Sequence, residues 1–88
     1  MNVKYESSFE KDLKKLRDKK LLQKISTVIL NKKSSENLLE INNLKKLSGY
    51  DSFFSIRIGD YRIGFELSSD GVILTRILHR KEIYRYFP

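Results

Sequence analysis

A chain of 88 residues with 18 Lys and Arg, 11 Asp and Glu and no cysteine excludes a disulfide framework and a thiolate metal site. It allows one domain, residues 1–88, whose small core hides roughly 60–65% of the unfolded surface. No run approaches the ~18 apolar residues of a membrane span, and "MNVKYESSFEKDL" has no apolar signal core, so the expectation is a cytoplasmic protein without membrane contact; the net charge of +7 points to a polyanionic partner, nucleic acid or acidic protein.

In chain order, "NVKYE" alternates as a short strand does. "SSFEKDLKKLRD" follows, where Ser7 and Glu10 have the spacing of a capping box and Phe9, Leu13 and Leu16 make one apolar stripe. "KKLLQKISTVILNKK" continues with Leu21, Ile25, Val28 and Ile29. The two stretches read as a pair of helices, or one bent helix, broken near Asp18–Lys20, with their lysines on a solvated outer face. Residues 34–52 read as a connector, with a helical turn around Leu38-Leu39 and a link ending at Gly49. Three strands are expected next: Phe53–Ile58, Tyr61–Leu67 and Val72–His79. Gly59-Asp60 suits a type II′ turn and Asp70-Gly71 a type I′ turn, with Gly71 at positive φ. "KEIYRYFP" closes the chain as a short helical turn. The fold class expected is α+β: an N-terminal strand, a two-helix hairpin, a three-stranded antiparallel meander and a short C-terminal helix.

The bases are unevenly distributed. Nine of 12 Lys lie in the first 33 residues, and five of six Arg lie in the last 32. Lysine is a hydrated point charge, whereas arginine is a planar fork that grips phosphate, so the second half is where recognition or chemistry is expected. A two-residue loop at Gly59-Asp60 sets Ile58, Ile56 and Phe54 against Tyr61, Ile63 and Phe65 on a core face. The other face then holds Ser55 with Gly64, Phe53 with Glu66, and Arg57 opposite Arg62. Like charges facing across a hairpin destabilise it, and a plain polar outer face would mix signs. A bound phosphate relieves the repulsion. With Asp70-Gly71 as the second turn, His79 falls opposite Arg62, giving a row Arg57, Arg62, His79 with Arg80 and Tyr84 beside it. Arg76 falls on the core parity, which this register does not account for.

One histidine, no cysteine and no spaced carboxylate cluster argue against metal catalysis, and there is no Gly-rich phosphate loop or nucleophile elbow. No cofactor is expected. Arg, His, Tyr and Lys suit RNA cleavage in which the RNA supplies its own 2′-hydroxyl nucleophile. The protein then supplies a base, cations for the charge developing on phosphate, and an acid for the leaving 5′-oxygen. His79 has the side chain that titrates near neutrality. A tyrosine serves as base only where cations lower its pKa from about 10. Both His79 and Tyr84 stand as candidates.

"LKKLSGY", "IRIGDYRIGFEL" and "ILHRKEIYRYFP" resemble the RelE/ParE superfamily of type II toxin–antitoxin toxins, and the resemblance runs through the whole chain in order. It implies the RelE-like microbial RNase fold and, for the RelE branch, a ribosome-dependent endonuclease that cuts mRNA in the A site. It implies catalytic roles for Arg62, Arg80 and Tyr84, with His79 as the alternative base, as histidine is in some relatives, and an RNA-contacting role for Arg57. Lys45, Lys46, Lys81 and Arg85 join Arg57 as candidate RNA-binding residues. Relatives often carry a Lys two positions before the residue matching Arg57; here that position is Ser55. The family also implies a cognate acidic antitoxin that wraps the toxin. Two alternatives are a ParE-like toxin that inhibits DNA gyrase and an inactive chain serving as an antitoxin-binding or repressor partner.

Overall fold

The computed structural model describes residues 2–34 and 44–88, and side chains within 2–29 and 44–88. In chain order these residues form β1 (Asn2–Tyr5), α1 (Ser7–Lys15), α2 (Lys19–Ser34), β2 (Leu44–Lys46), β3 (Phe53–Ile58), β4 (Tyr61–Ser68), β5 (Gly71–His79) and α3 (Ile83–Tyr86). This is the α+β arrangement expected, with one addition: the link before Gly49 holds the short strand β2. The helical turn expected at Leu38-Leu39 lies outside the described residues. No described helix is long and apolar enough to cross a membrane.

The helix starts follow from local chemistry. The backbone N–H of Glu6 donates to Leu74 O at 2.9 Å, extending the contact between β1 and β5. Helix α1 therefore begins at Ser7 with Glu6 as its N-cap residue and no side-chain cap, so the capping box expected from Ser7 and Glu10 does not form. Asp18 does cap α2, its Oδ1 accepting from the N–H of Lys20 at 3.0 Å and of Leu21 at 3.2 Å. Such a cap contributes about 1 kcal/mol, and it sets the break where the sequence places it.

The sheet runs β1-β5-β4-β3-β2. β1 lies parallel to β5, from Asn2 opposite Gly71 to Tyr5 opposite Leu74, and the other neighbours are antiparallel. Phe9, Leu21 and Ile25 of the helices bury against Ile56, Ile58, Ile63, Phe65, Val72, Leu74 and Ile77 of the sheet. A second, smaller cluster joins Ile83 and Phe87 to Leu47, Phe53 and Leu78. Part of the sheet is thus covered by α3 and the residues around it.

The first hairpin has the expected register, Arg57 opposite Arg62 and Ser55 opposite Gly64. The second does not. Its turn residues are Ser69 and Asp70, flanked by the pair Ser68–Gly71, and the pairing slips between Gly64 and Phe65, where Thr75 is the extra residue. Such a bulge shifts the pairing by one and moves side chains to the other face. His79 consequently lies opposite Tyr61, and Arg62 lies opposite Leu78. Gly71 is not a positive-φ turn residue; it begins β5, where a Cβ would collide with the backbone of Asn2 on β1.

The bulge also accounts for Arg76. Its Nε and Nη2 donate to Asp12 at 2.7 and 3.0 Å, and the same carboxylate accepts the Ile77 N–H at 3.1 Å. Ser8 Oγ donates to Thr75 O at 2.7 Å. Beyond Leu74, where β1 ends, side chains of α1 take over the bonding of the β5 edge. Asp12, only 5% exposed, sits in that seam because Arg76 neutralises it.

Candidate active site

Four elements converge on one cavity of about 640 Å³. β3 supplies Ser55 and Arg57, β4 supplies Arg62, and β2 supplies Lys45, which lies opposite Ser55 in the sheet. Arg80 and Lys81 follow β5, and Tyr84 comes from α3. The lining therefore holds five cations, Lys45, Arg57, Arg62, Arg80 and Lys81, and among the described residues no carboxylate. Cations gathered in this way raise the local concentration of an anion and stabilise charge that develops on it.

Local bonds set each group. Arg62 curls over the turn, its Nη1 donating to Gly59 O at 2.9 Å and Tyr61 O at 2.8 Å. Both bonds use Nη1, so they do not consume Nε and Nη2, the pair that grips an anion side-on. The Arg80 N–H donates to Asp60 O at 2.7 Å, which ties the chain after β5 to the same turn. The Arg80 guanidinium stands 3.9 Å from the Asp60 carboxylate, with both side chains well exposed, a pairing that contributes little and yields readily to a ligand.

Tyr84 is half exposed, yet its hydroxyl lies 3.0 Å from the hydroxyl of Ser55, which is 2% exposed. Lys45 Nζ stands 5.4 Å from the centre of the Tyr84 ring. The helix carrying Tyr84 is anchored by Ile83 and Phe87. Phe87 packs on Gly64, where a Cβ would come within 2.7 Å of the ring. The small pair Ser55–Gly64 is the floor on which α3 rests.

The cavity thus brings together Arg62, Arg80, Tyr84, Arg57, Lys45 and Lys81 of the residues expected from sequence. It does not include the other three. His79 lines a separate cavity of about 420 Å³ with Asp12, Arg76, Tyr61, Glu82 and Tyr86. Its ring meets Tyr61 edge-on at 5.6 Å, and its Nδ1 accepts the Lys81 N–H at 3.2 Å. Lys46 stands 3.9 Å from Asp51, and Arg85 is exposed on α3. In the second cavity the hydrogen bond that Arg76 donates to Asp12 raises the pKa of Arg76, against the opposing effect of burial.

Sequence reasoning missed two residues. Ser55 stands where relatives often hold lysine, and strand alternation alone sets it on the face of Arg57 without showing its bond to Tyr84. Asp12 lies on the apolar side of α1 between Phe9 and Leu13, and an acid in that position signals a buried partner.

The family model described as the ParE toxin of type II toxin–antitoxin system, parDE, matches residues 3–84. Toxin RelE3 of Methanocaldococcus jannaschii is 39% identical over 89 residues, covering 100% of both chains. A crystal structure of the RelB-RelE antitoxin–toxin complex from Methanococcus jannaschii superposes with a TM-score of 0.82 at 38% identity, over 97% of this chain and 99% of the other. The YoeB dimer from Staphylococcus aureus shares the fold, with a TM-score of 0.69 at 20% identity over 86% of this chain and 92% of the other.

Proposed function

The chain belongs to the RelE/ParE superfamily of type II toxin–antitoxin toxins, and we propose that it acts in the cytoplasm as a ribosome-dependent endoribonuclease, cutting mRNA in the A site without a metal or cofactor. The observation that carries this reading is the cavity, with five cations around Tyr84 and no carboxylate among the described residues that line it.

In this mechanism Tyr84 takes the proton of the 2′-hydroxyl, and the 2′-oxygen attacks the adjacent phosphorus. The bond to the 5′-oxygen breaks and that oxygen takes a proton from water, leaving a 2′,3′-cyclic phosphate and a 5′-hydroxyl end. Arg57 and Arg62, side by side, hold the non-bridging oxygens as their charge grows. Arg80 and Lys81 counter the charge on the leaving oxygen. Tyr84 is preferred to His79 as base because it shares the cavity with the cations, whereas His79 Nδ1 already accepts the Lys81 N–H. Lys45 lies within phosphate reach of the cavity, and Lys46 and Arg85 extend the basic surface around it.

The cognate partner in this reading is an acidic antitoxin. The similar structure from Methanococcus jannaschii is of an antitoxin–toxin complex, and a net charge of +7 suits an acidic segment.

The test is to express the chain without an antitoxin and measure amino-acid and thymidine incorporation, then map mRNA ends on programmed ribosomes. Translation should stop first, with new ends inside the A-site codon. DNA synthesis stopping first with mRNA intact would refute the nuclease reading in favour of gyrase inhibition, and no effect on either would leave an antitoxin-binding partner.

A further inference from the structure

We infer that Ser55 is a positioning residue for Tyr84, holding the phenol over the cation cavity through its buried hydroxyl; the inference rests on the nuclease reading only for the step that Tyr84 performs. Three observations carry it. Ser55 is 2% exposed, and a buried hydroxyl needs a partner. Its hydrogen bond among the described residues is to Tyr84, at 3.0 Å. Tyr84 is half exposed on a helix of four residues, too short to orient a side chain by its own stability.

The sheet is built for this contact. Ser55 lies between Lys45 on β2 and Gly64 on β4. On one side Gly64 leaves room for Phe87, which lets α3 come down onto the strands. On the other, Lys45 stands 5.4 Å from the Tyr84 ring centre. A long side chain at position 55 would fill the space in which the phenol lies. A serine gives up a cation there and gains a fixed hydroxyl, while the cation comes from the neighbouring strand.

The chemistry follows from which form of Tyr84 the serine can serve. When Tyr84 acts as base, its oxygen carries negative charge before it takes the 2′-hydroxyl proton. Ser55 Oγ–H then donates to that oxygen and keeps its own proton throughout, so it is not a relay. A hydrogen bond to the charged form favours that form. Among the described residues, the charged side chains that share the cavity with Tyr84 are Lys45 from β2, Arg57 from β3, Arg62 from β4, and Arg80 and Lys81 after β5. All are cations, and Ser55→Ala leaves every one in place.

The experiment is a double-mutant cycle between Ser55→Ala and Tyr84→Phe, read by single-turnover cleavage on programmed ribosomes across a pH series. It is paired with the ¹³Cζ signal of Tyr84 in the whole chain without ribosomes. Ser55→Ala should slow cleavage roughly 10- to 100-fold, the scale of one hydrogen bond to a charged group, with kcat falling and KM unchanged. Its pH–rate curve should move to higher pH, whereas a merely structural loss lowers the rate equally at every pH. In the Tyr84→Phe background the serine change should cost nothing further, and Ser55→Thr, which keeps the hydroxyl, should recover most of the rate. The ¹³Cζ signal should shift in Ser55→Ala. An unchanged signal, or equal losses in both backgrounds, overturns the inference even in a chain that cuts RNA. A shifted signal in a chain that cuts no RNA keeps the Ser55–Tyr84 contact and overturns the nuclease reading instead.

Discussion

Phe87 covers the bare backbone of Gly64, and a Cβ built on that glycine would stand 2.7 Å from the ring. The contact decides how close α3 comes to the sheet, and through α3 where Tyr84 sits. Gly64→Ala should therefore push the helix outward and break the Ser55–Tyr84 bond. Overpacking of this kind costs about 1–3 kcal/mol, enough to lower the melting temperature while the protein stays folded. Cleavage should fall much further than stability does. Adding Phe87→Leu should return part of both, and thermal melts with cleavage assays on the single and double variants check this.

Arg62→Ala should reduce cleavage by ~10²–10³, the usual effect of removing one stabiliser of developing charge. Its Nη1 bonds to Gly59 and Tyr61 carbonyls are exposed or partly so, and their loss should cost about 1 kcal/mol of stability. Lys14, exposed on α1, is the control: Lys14→Ala should leave both quantities unchanged. A folded Arg62→Ala variant that cuts at the wild-type rate would remove Arg62 from the mechanism.

Asp12→Ala should be strongly destabilising with little effect on the chemistry. It strands Arg76 and the Ile77 N–H in the seam between α1 and β5. Removing one member of a buried pair costs about 3 kcal/mol. Urea titration should show the loss, and a second change, Arg76→Met, should restore part of it. The folded fraction should retain its cleavage rate, because the pair lies outside the cation cavity.

Hydrogen bonds from Asn2 and then Ser68, with the charge of Lys4 adding to them, hold the Asp70 carboxyl below its ordinary pKa. A group whose pKa is lower folded than unfolded stabilises the fold above its unfolded value and loses that contribution as pH falls through the folded one. The melting-temperature gap between wild type and Asp70→Asn should thus be open above about pH 4 and close as the medium is acidified further. A gap that widens in acid would contradict the assignment. The Asn2–Asp70 bond links the start of β1 to the last turn, so Asn2→Ala should narrow the gap in the same direction.

Binding to single-stranded RNA should weaken as salt rises, because each neutralised phosphate releases counterions. Each contact removed should flatten the slope of log K against log salt by about 0.7. Arg57→Ala and Lys45→Ala should each show that change, while Lys46→Ala, whose side chain lies by Asp51, should show less. Slopes that agree for all three variants would dissociate the cavity from phosphate binding.

Both long helices, the strands β1, β3, β4 and β5, the closing turn of helix, their order and the first hairpin are legible in the chain because each rests on nearby residues, whereas β2 forms in a stretch that reads as a connector. Apolar spacing marks α1 and α2, Asp18 caps the second helix, and a two-residue loop leaves one register for Arg57 and Arg62. The family resemblance singled out Arg62, Arg80 and Tyr84, and the cavity unites them. The second hairpin was set by contacts far apart in the chain. Thr75 is an extra residue there because Ser8 and Asp12, 67 and 64 residues away from Thr75 and Arg76, bond the strand edge beyond β1. That one-residue slip carried His79 away from Arg62 and gave Arg76 its partner. The fall of the buried positions at Val72, Leu74 and then Ile77 records the slip in the chain, but a break in alternation does not say which side chains will satisfy it. The role of Ser55 was hidden for the same reason. Its partner is brought by a helix that can lie down only where Gly64 leaves room, and contacts of that kind are set by packing in three dimensions rather than by neighbours in sequence.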